Sequence, residues 1–273
     1  MKKINDCKTA GILLLNILMA IFVMFPIIYA VCITFKPPSE VFEANFFPTN
    51  PTVQNIIDAF ETAPLGTYLL NTFIVAVSIT LAQSLTSCLA AFAFRFLKFK
   101  GKNLLFALVM ATMMVPGEAI IIAQYLMVRD WGWLDTLYVL IIPFAISTIG
   151  IFLFKQALEN FPYEIYESAR MDGCSNIYFV FYILIPLMRP TLGALAVNSF
   201  LSGWNMYMWP LLTTSADNSR TVQIGLSMLN AVDSQSIVLI IAGVVSCMIP
   251  SLIIFIVSQK NMIKGLAAGA VKG

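Results

Sequence analysis

Glu118 is the one carboxylate inside the long apolar stretches of this chain, and it follows Pro116-Gly117. Proline and glycine loosen a helix and open backbone groups toward a cavity. An ionisable group at membrane depth is by default a candidate for solute contact. Glu118 could accept hydrogen bonds from solute hydroxyls. It could equally serve a neighbouring helix, or sit near enough to the outer face to be hydrated. A second group is Trp204-Asn205, inside Gly203-Trp204-Asn205-Met206-Tyr207-Met208-Trp209-Pro210. Aromatic faces beside an amide suit a ring-shaped, hydroxyl-rimmed solute, but Trp and Tyr also collect at membrane interfaces in general. Asn198, about 13 Å in from Arg189 at about 1.5 Å per helical residue, is placed for a polar contact nearer mid-membrane or for a hydrogen bond between helices.

Much chemistry is excluded. The chain has no histidine, which removes the commonest proton shuttle and metal ligand at neutral pH. Its five cysteines, Cys7, Cys32, Cys88, Cys174 and Cys247, form no CxxC pair or ligand spacing and read as small packing residues, with no metal site. No phosphate-cradling G-x-x-x-x-G-K-[ST] occurs. A single intramembrane carboxylate is not a proton or sodium relay. A transporter built this way borrows its energy from a partner; the alternative is a self-sufficient carrier or channel.

The densest polar pattern lies in residues 160–190. Asn160 or Pro162 can start a short helix. Glu164, Glu167, Arg170 and Asp172 cover it with mixed charge, and Ser168, Ala169 and Gly173 allow close backbone approach. Gly173 can end the helix in a left-handed conformation. Pro186 and Pro190 mark the entry to a following membrane helix. An amphipathic helix lying in the membrane interface would share this periodicity.

The elements that must position these residues are transmembrane helices. The composition is 59% hydrophobic and 11% charged, with a mean hydropathy of +0.86. A spanning helix needs about 20 mainly apolar residues. Residues 9–35, 62–94, 103–128, 136–154, 190–216 and 234–259 qualify. They are continuous and far longer than the roughly ten-residue alternating strands of a membrane barrel. The first is too long for a cleaved signal and reads as a retained signal-anchor. Lys and Arg in alternate loops sum to 13 on one side and 3 on the other, so both termini and the 95–102 and 155–189 loops face the cytoplasm. The expected fold is an all-α membrane protein with six transmembrane helices.

The pattern Glu167-Ser168-Ala169, Gly173, Ile183 and Ile185-Pro186 resembles the EAA loop of ABC importer permeases: Glu-Ala-Ala, three residues, Gly, nine residues, Ile-x-Leu-Pro. Ser168 stands for Ala and Ile185 for Leu. Further likeness lies in Leu70-Asn71-Thr72-Phe73, the basic loop around Phe94-Arg95-Phe96, and Phe152-Leu153-Phe154-Lys155-Gln156. The tail Lys264-Gly265-Leu266-Ala267-Ala268-Gly269 is similar to that of the second permease in maltose-type carbohydrate importers and points to the sugar and glycerol-phosphate branch.

The resemblance implies a type I ABC importer permease fold in a bacterial-type cytoplasmic membrane. It implies an anchor and outer loop over 1–66, a permease domain over 67–259 and a cytoplasmic tail over 260–273. Glu164, Glu167, Ser168, Ala169, Arg170, Asp172, Gly173, Ile183 and Pro186 would couple to the ATPase. Glu118, Asn198, Trp204 and Asn205 are the substrate-pathway candidates. The chain itself would be non-catalytic and bind no cofactor, with ATP and Mg on the partner. Expected partners are a homologous permease in a heterodimer, two ATP-hydrolysing subunits, an extracytoplasmic solute-binding protein and a sugar-class solute, with no nucleic acid. The polar outer loop 213–235, with Asp217, Asn218, Arg220, Asn230 and Asp233, should meet the binding protein.

Overall fold

The computed structural model describes residues 2–41, 43–232 and 237–270, with side chains placed for 11–41, 43–229 and 237–256. Asp233 of the expected outer contact, and the side chains of Asn230 and of the 260–273 tail, lie outside what is described. The described backbone is helical, without strands. In lipid every backbone N–H and C=O must find its partner within the chain, and a helix does this locally.

The helices are α1 Lys2–Thr34, α2 Gln54–Thr62, α3 Leu65–Phe96, α4 Lys102–Ala111, α5 Gly117–Asp130, α6 Leu137–Ile141, α7 Thr148–Glu159 and α8 Tyr163–Met171. They continue with α9 Asn176–Leu187, α10 Arg189–Trp204, α11 Met208–Thr213, α12 Val222–Val232 and α13 Ile237–Ala270. Four stretches are long and apolar enough to span alone: Gly11–Thr34, Leu65–Phe96, Leu137–Glu159 and Ile237–Ile256. Two more are bent pairs. Lys102–Met114 and Gly117–Asp130 meet at 97°, and Asn176–Leu187 and Arg189–Trp204 meet at 85°. Counting each pair as one span gives six. The uniform apolar run 103–128 was expected as one helix; Pro116, which lacks an amide donor, separates its halves. The run 190–216 likewise ends its main helix at Trp204 and resumes as α11.

Two compact units are present. The first comprises 1–66 and 225–249. From Gly11 on, its α1 is almost wholly apolar, and residues 11–26 are exposed throughout, a surface suited to lipid. The following 36–61 segment is tightly folded. Lys36 is fully buried with its ammonium on Asn45 O, and Asn55 Nδ2 donates to Thr34 O at 2.8 Å and Lys36 O at 2.7 Å. Glu40 accepts from the Thr49 hydroxyl and from Thr49 N, the latter at 2.9 Å, and these bonds hold its carboxyl below the usual range.

The second unit comprises 67–224 and 250–273. A polar knot sits among its helices. The span Leu137–Glu159 is interrupted by a 3-10 turn at Ile142–Phe144. Gln83 Nε2 donates to Phe144 O at 2.8 Å and Thr86 Oγ1 to Ala145 O at 3.0 Å, taking up carbonyls freed by that turn. Gln83 Oε1 in turn accepts from Ser199 on α10 at 2.6 Å. Gly150 lets α7 approach closely, because a Cβ there would run into Ser87 Oγ and Leu195.

Candidate functional site

The helix α8 has nine residues, begins after Pro162 and carries Glu164 in its first turn and Arg170 in its last. Each charge suits the helix dipole at its end. The C-terminus closes as expected for Gly173. Gly173 has φ +79°, its amide donates to Arg170 O at 3.2 Å, and the Cys174 amide donates to Ala169 O at 2.9 Å. That pair of bonds is a Schellman motif. Arg170 Nη1 adds a bond to Cys174 O at 2.7 Å, and Ser175 caps the next helix by accepting from Tyr178 N at 3.2 Å.

The two faces of α8 differ. Tyr166 and Ala169 are buried. Glu164, Glu167, Ser168, Arg170, Met171, Asp172 and Gly173 are exposed, Met171 at 81%. Ala169, read from the sequence as a small contact residue, faces inward and lets α8 lie close to the aromatic core. Ser168 is outward, with its hydroxyl donating to Glu164 O at 2.8 Å. Ile183 and Pro186 do not extend this outward surface. Ile183 packs half-buried on the core within a π-helical turn, Phe179–Leu184, and Pro186 lies in the turn beyond.

Sequence reasoning did not find the mount of this helix. Phe92 and Phe96, one turn apart on α3, meet Tyr166 with ring centroids at 5.9 and 4.7 Å. Phe179 lies 5.1 Å from Tyr166, and Phe96 stacks on Tyr163 at 5.7 Å. The Tyr166 hydroxyl donates to Asn176 Oδ1 at 2.9 Å. Arg95 lies over the Tyr163 ring at 5.5 Å and donates from Nε to Leu158 O at 3.0 Å. The i, i+4 spacing of Phe92 and Phe96 and the i, i+3 spacing of Tyr163 and Tyr166 were the available signal. The exposed face of α8 is thus backed by rings and a hydrogen bond from α3 and α9.

Among the described residues no hydrogen bond joins the four pathway candidates to one another. Glu118 is exposed in the first turn of α5, beside the break, where the amide ends of the helix favour negative charge. Asn198 is exposed on α10. Asn205, also exposed, caps the end of α10 through Nδ2 to Leu201 O at 2.9 Å and accepts from Gln223 Nε2 at 3.4 Å. Trp204 is 3% exposed and stacks on Phe200 at 5.5 Å, so its ring faces are occupied by protein.

The other end of α3 carries a second polar construction. Tyr68 is about 40 Å from Arg95 along the helix, at about 1.5 Å per residue. Its hydroxyl donates to Asp217 at 2.7 Å, and Asn71 Nδ2 donates to Asn218 O at 3.0 Å and Arg220 O at 2.9 Å. Thr72 Oγ1 accepts from Val222 N at 2.8 Å. Asp135, at φ 58°, accepts from the amides of Ser215 and Ala216, the latter at 2.8 Å. These amides, Ala216 first, hold its carboxyl below the usual range. The 213–222 segment is thus tied to α3 and to Asp135, with Ser215, Ala216, Asp217 and Asn218 left exposed. Beside it, Trp131, Trp133 and Trp209 line an apolar cleft of about 390 Å³.

The fold is thus that of a multi-span helical membrane protein carrying a short, capped helix that is exposed on one face and packed on an aromatic core on the other. Residues 83–265 match the family model described as the binding-protein-dependent transport system inner membrane component, and the chain belongs to that family. It is 31% identical to the arabinooligosaccharides transport system permease protein AraQ of Halalkalibacterium halodurans, over 93% of each chain. It is 32% identical to the sn-glycerol-3-phosphate transport system permease protein UgpE of Pectobacterium atrosepticum, over 89% of this chain and 90% of that one. One chain of a bacterial ABC transporter involved in the import of the acidic polysaccharide alginate has the same fold. Its TM-score is 0.81 at 23% identity, covering 94% of this chain and 96% of that one. The fold is the type I ABC importer permease fold, and the chain is a non-catalytic membrane subunit.

Proposed function

We propose that this chain forms one half of the translocation pathway for a sugar or glycerol-phosphate solute and is driven by ATP hydrolysis on a partner. The observation that carries the reading is α8: a helix closed at its C-terminus by Gly173, exposed along its charged face and fixed to α3 and α9 by aromatic packing. The relatives' names, an arabinooligosaccharide, a glycerol-phosphate and a lactose permease, support the solute class.

In this reading both termini are cytoplasmic, in a bacterial cytoplasmic membrane. Residues 1–66 anchor the chain, 67–259 form the permease domain and 260–273 the tail. A homologous permease supplies the other half of a heterodimeric pathway. Two ATPase subunits hold ATP and Mg and seat the exposed residues of α8, Glu164, Glu167, Ser168, Arg170 and Asp172. A solute-binding protein docks on the outer loop 213–235. Closure of the ATPases draws the two coupling helices together and switches the cavity between inward- and outward-facing. Glu118, Asn198 and Asn205 offer acceptors and donors to solute hydroxyls.

The test is uptake by the reconstituted complex in proteoliposomes, offering labelled arabinooligosaccharide, lactose and glycerol 3-phosphate. Uptake should require ATP inside, the binding protein outside and the ATPase subunits. Uptake by this chain alone would refute the reading. For the pathway, Glu118→Gln should lower transport with assembly intact; unchanged transport would remove Glu118 from it.

A further inference from the structure

The loop between α3 and α4 returns the chain to the cytoplasmic end of the fold, and α7 passes beside it. Between these helices lies a cleft of about 280 Å³. Arg95, Lys102 and Lys155 line it with one carboxylate, Glu159, so its walls carry a net charge of +2. Asn103 and the Phe94 and Phe106 rings, edge to face at 5.3 Å, form the rest of the walls.

Each cation is held in place. Arg95 donates from Nε to Leu158 O at 3.0 Å. Lys102 donates to Arg95 O at 3.3 Å and Leu97 O at 3.2 Å, covering the carbonyl end of α3. Lys155 pairs with Glu159 at 2.7 Å and lies over the Phe106 ring at 4.5 Å, with its side chain 21% exposed. Three cations fixed around one cleft repel one another, and a single carboxylate offsets one of them. An anion in the cleft would remove that repulsion. The walls continue into apolar surface: Leu104, Leu105 and Leu108 on α4 are exposed, as are Ile149 and Phe152 on α7. A basic cleft that opens onto apolar helix faces at the inner leaflet matches a ligand with a phosphate at one end and hydrocarbon at the other.

We infer that this cleft binds the headgroup of an anionic phospholipid of the inner leaflet, with the acyl chains lying along α4 and α7. The phosphate takes the free donors of Arg95, Lys102 and Lys155. The site stands next to the mount of α8, because Arg95 also contacts Tyr163. It does not depend on which solute the importer carries.

The test uses the assembled complex in nanodiscs of phosphatidylcholine mixed equally with phosphatidylglycerol, then extracted and washed in detergent. Lipid retained per permease is measured by mass spectrometry. The wild-type protein should retain phosphatidylglycerol over phosphatidylcholine, and less so at high salt. Lys102→Gln with Lys155→Gln should lower phosphatidylglycerol retention by about fivefold per charge removed. Glu159→Gln should raise it, which keeps the test informative if the double variant assembles poorly. Equal retention of both lipids by the wild type would overturn the proposal. So would displacement of the lipid by millimolar inorganic phosphate, which would make the cleft a free-anion site. So would a double variant that loses its ATPase subunits but retains lipid normally, which would assign the cations to that interface.

Discussion

The closure of α8 at Gly173 is the feature whose removal is most informative. Gly173 adopts φ +79°, and a Cβ built there meets nothing within 4 Å. Substitution therefore acts on the backbone alone, with no steric clash. For an L residue the left-handed conformation costs about 1–2 kcal/mol, which shifts the closed-to-frayed ratio of the last turn roughly five- to thirtyfold. Gly173→Ala should accordingly expose the amides of Gly173's replacement and Cys174, which now donate to Arg170 O and Ala169 O. Gly173→Val should do more, because a β-branched residue is poorly tolerated at positive φ. Gly173→Asn should do least, since Asn enters this region readily. Hydrogen exchange over 169–174 reads the fraying directly. ATP hydrolysed per solute imported reads its consequence, which should rise in the order Asn, Ala, Val as motion is lost in a loosened helix end. Exchange unchanged by valine would refute the reasoning. So would an Asn variant as impaired as the Val variant, which would mean that the glycine serves a contact instead of a conformation.

Tyr166→Phe should cost about 1 kcal/mol through the bond to Asn176, whereas Tyr166→Ala should cost about 3–5 kcal/mol by emptying the aromatic mount; thermal unfolding of the complex measures both. Asp135 has its carboxyl held low by the amides of Ala216 and Ser215, so its contribution is fully present above the unfolded pKa of about 4 and lost as pH falls through the lower folded value. Exchange protection of the 215–219 amides should follow that course, and Asp135→Ala should abolish both the protection and its pH dependence. Gly150→Val should destabilise by about 1–3 kcal/mol through overpacking against Ser87 and Leu195, seen as a lower Tm with no change in solute specificity.

The membrane helices and α8 were legible in the sequence because each obeys a local rule. Apolar length marks spans, and a glycine after a short amphipathic run marks a left-handed stop. The breaks were less legible. Pro116 was visible, yet hydropathy is continuous across it, and a scale of apolarity carries no information about direction. Gln83 escaped notice for a related reason: it is uncharged, and its partners Phe144 O and Ser199 lie on other elements. Trp204 and Asn205 are adjacent in sequence but differ by burial, since one helical step of about 100° separates a packed face from an open one. The aromatic mount of α8 joins residues from 92 to 179, a separation no spacing rule reaches.

The 97° break before α5 also has a consequence for how the protein is made. With 14 residues, α5 is well short of the about 20 needed to cross a bilayer. It must enter the membrane together with the half that precedes it, and the turn between them then presents backbone amides and carbonyls that hydrocarbon cannot satisfy. Residues 111–120 are exposed throughout in the single chain. The break thus asks for water or protein beside it, wherever along the membrane normal it lies. The kink that gives Glu118 its position therefore also fixes a point on the chain where bare hydrocarbon is a poor neighbour.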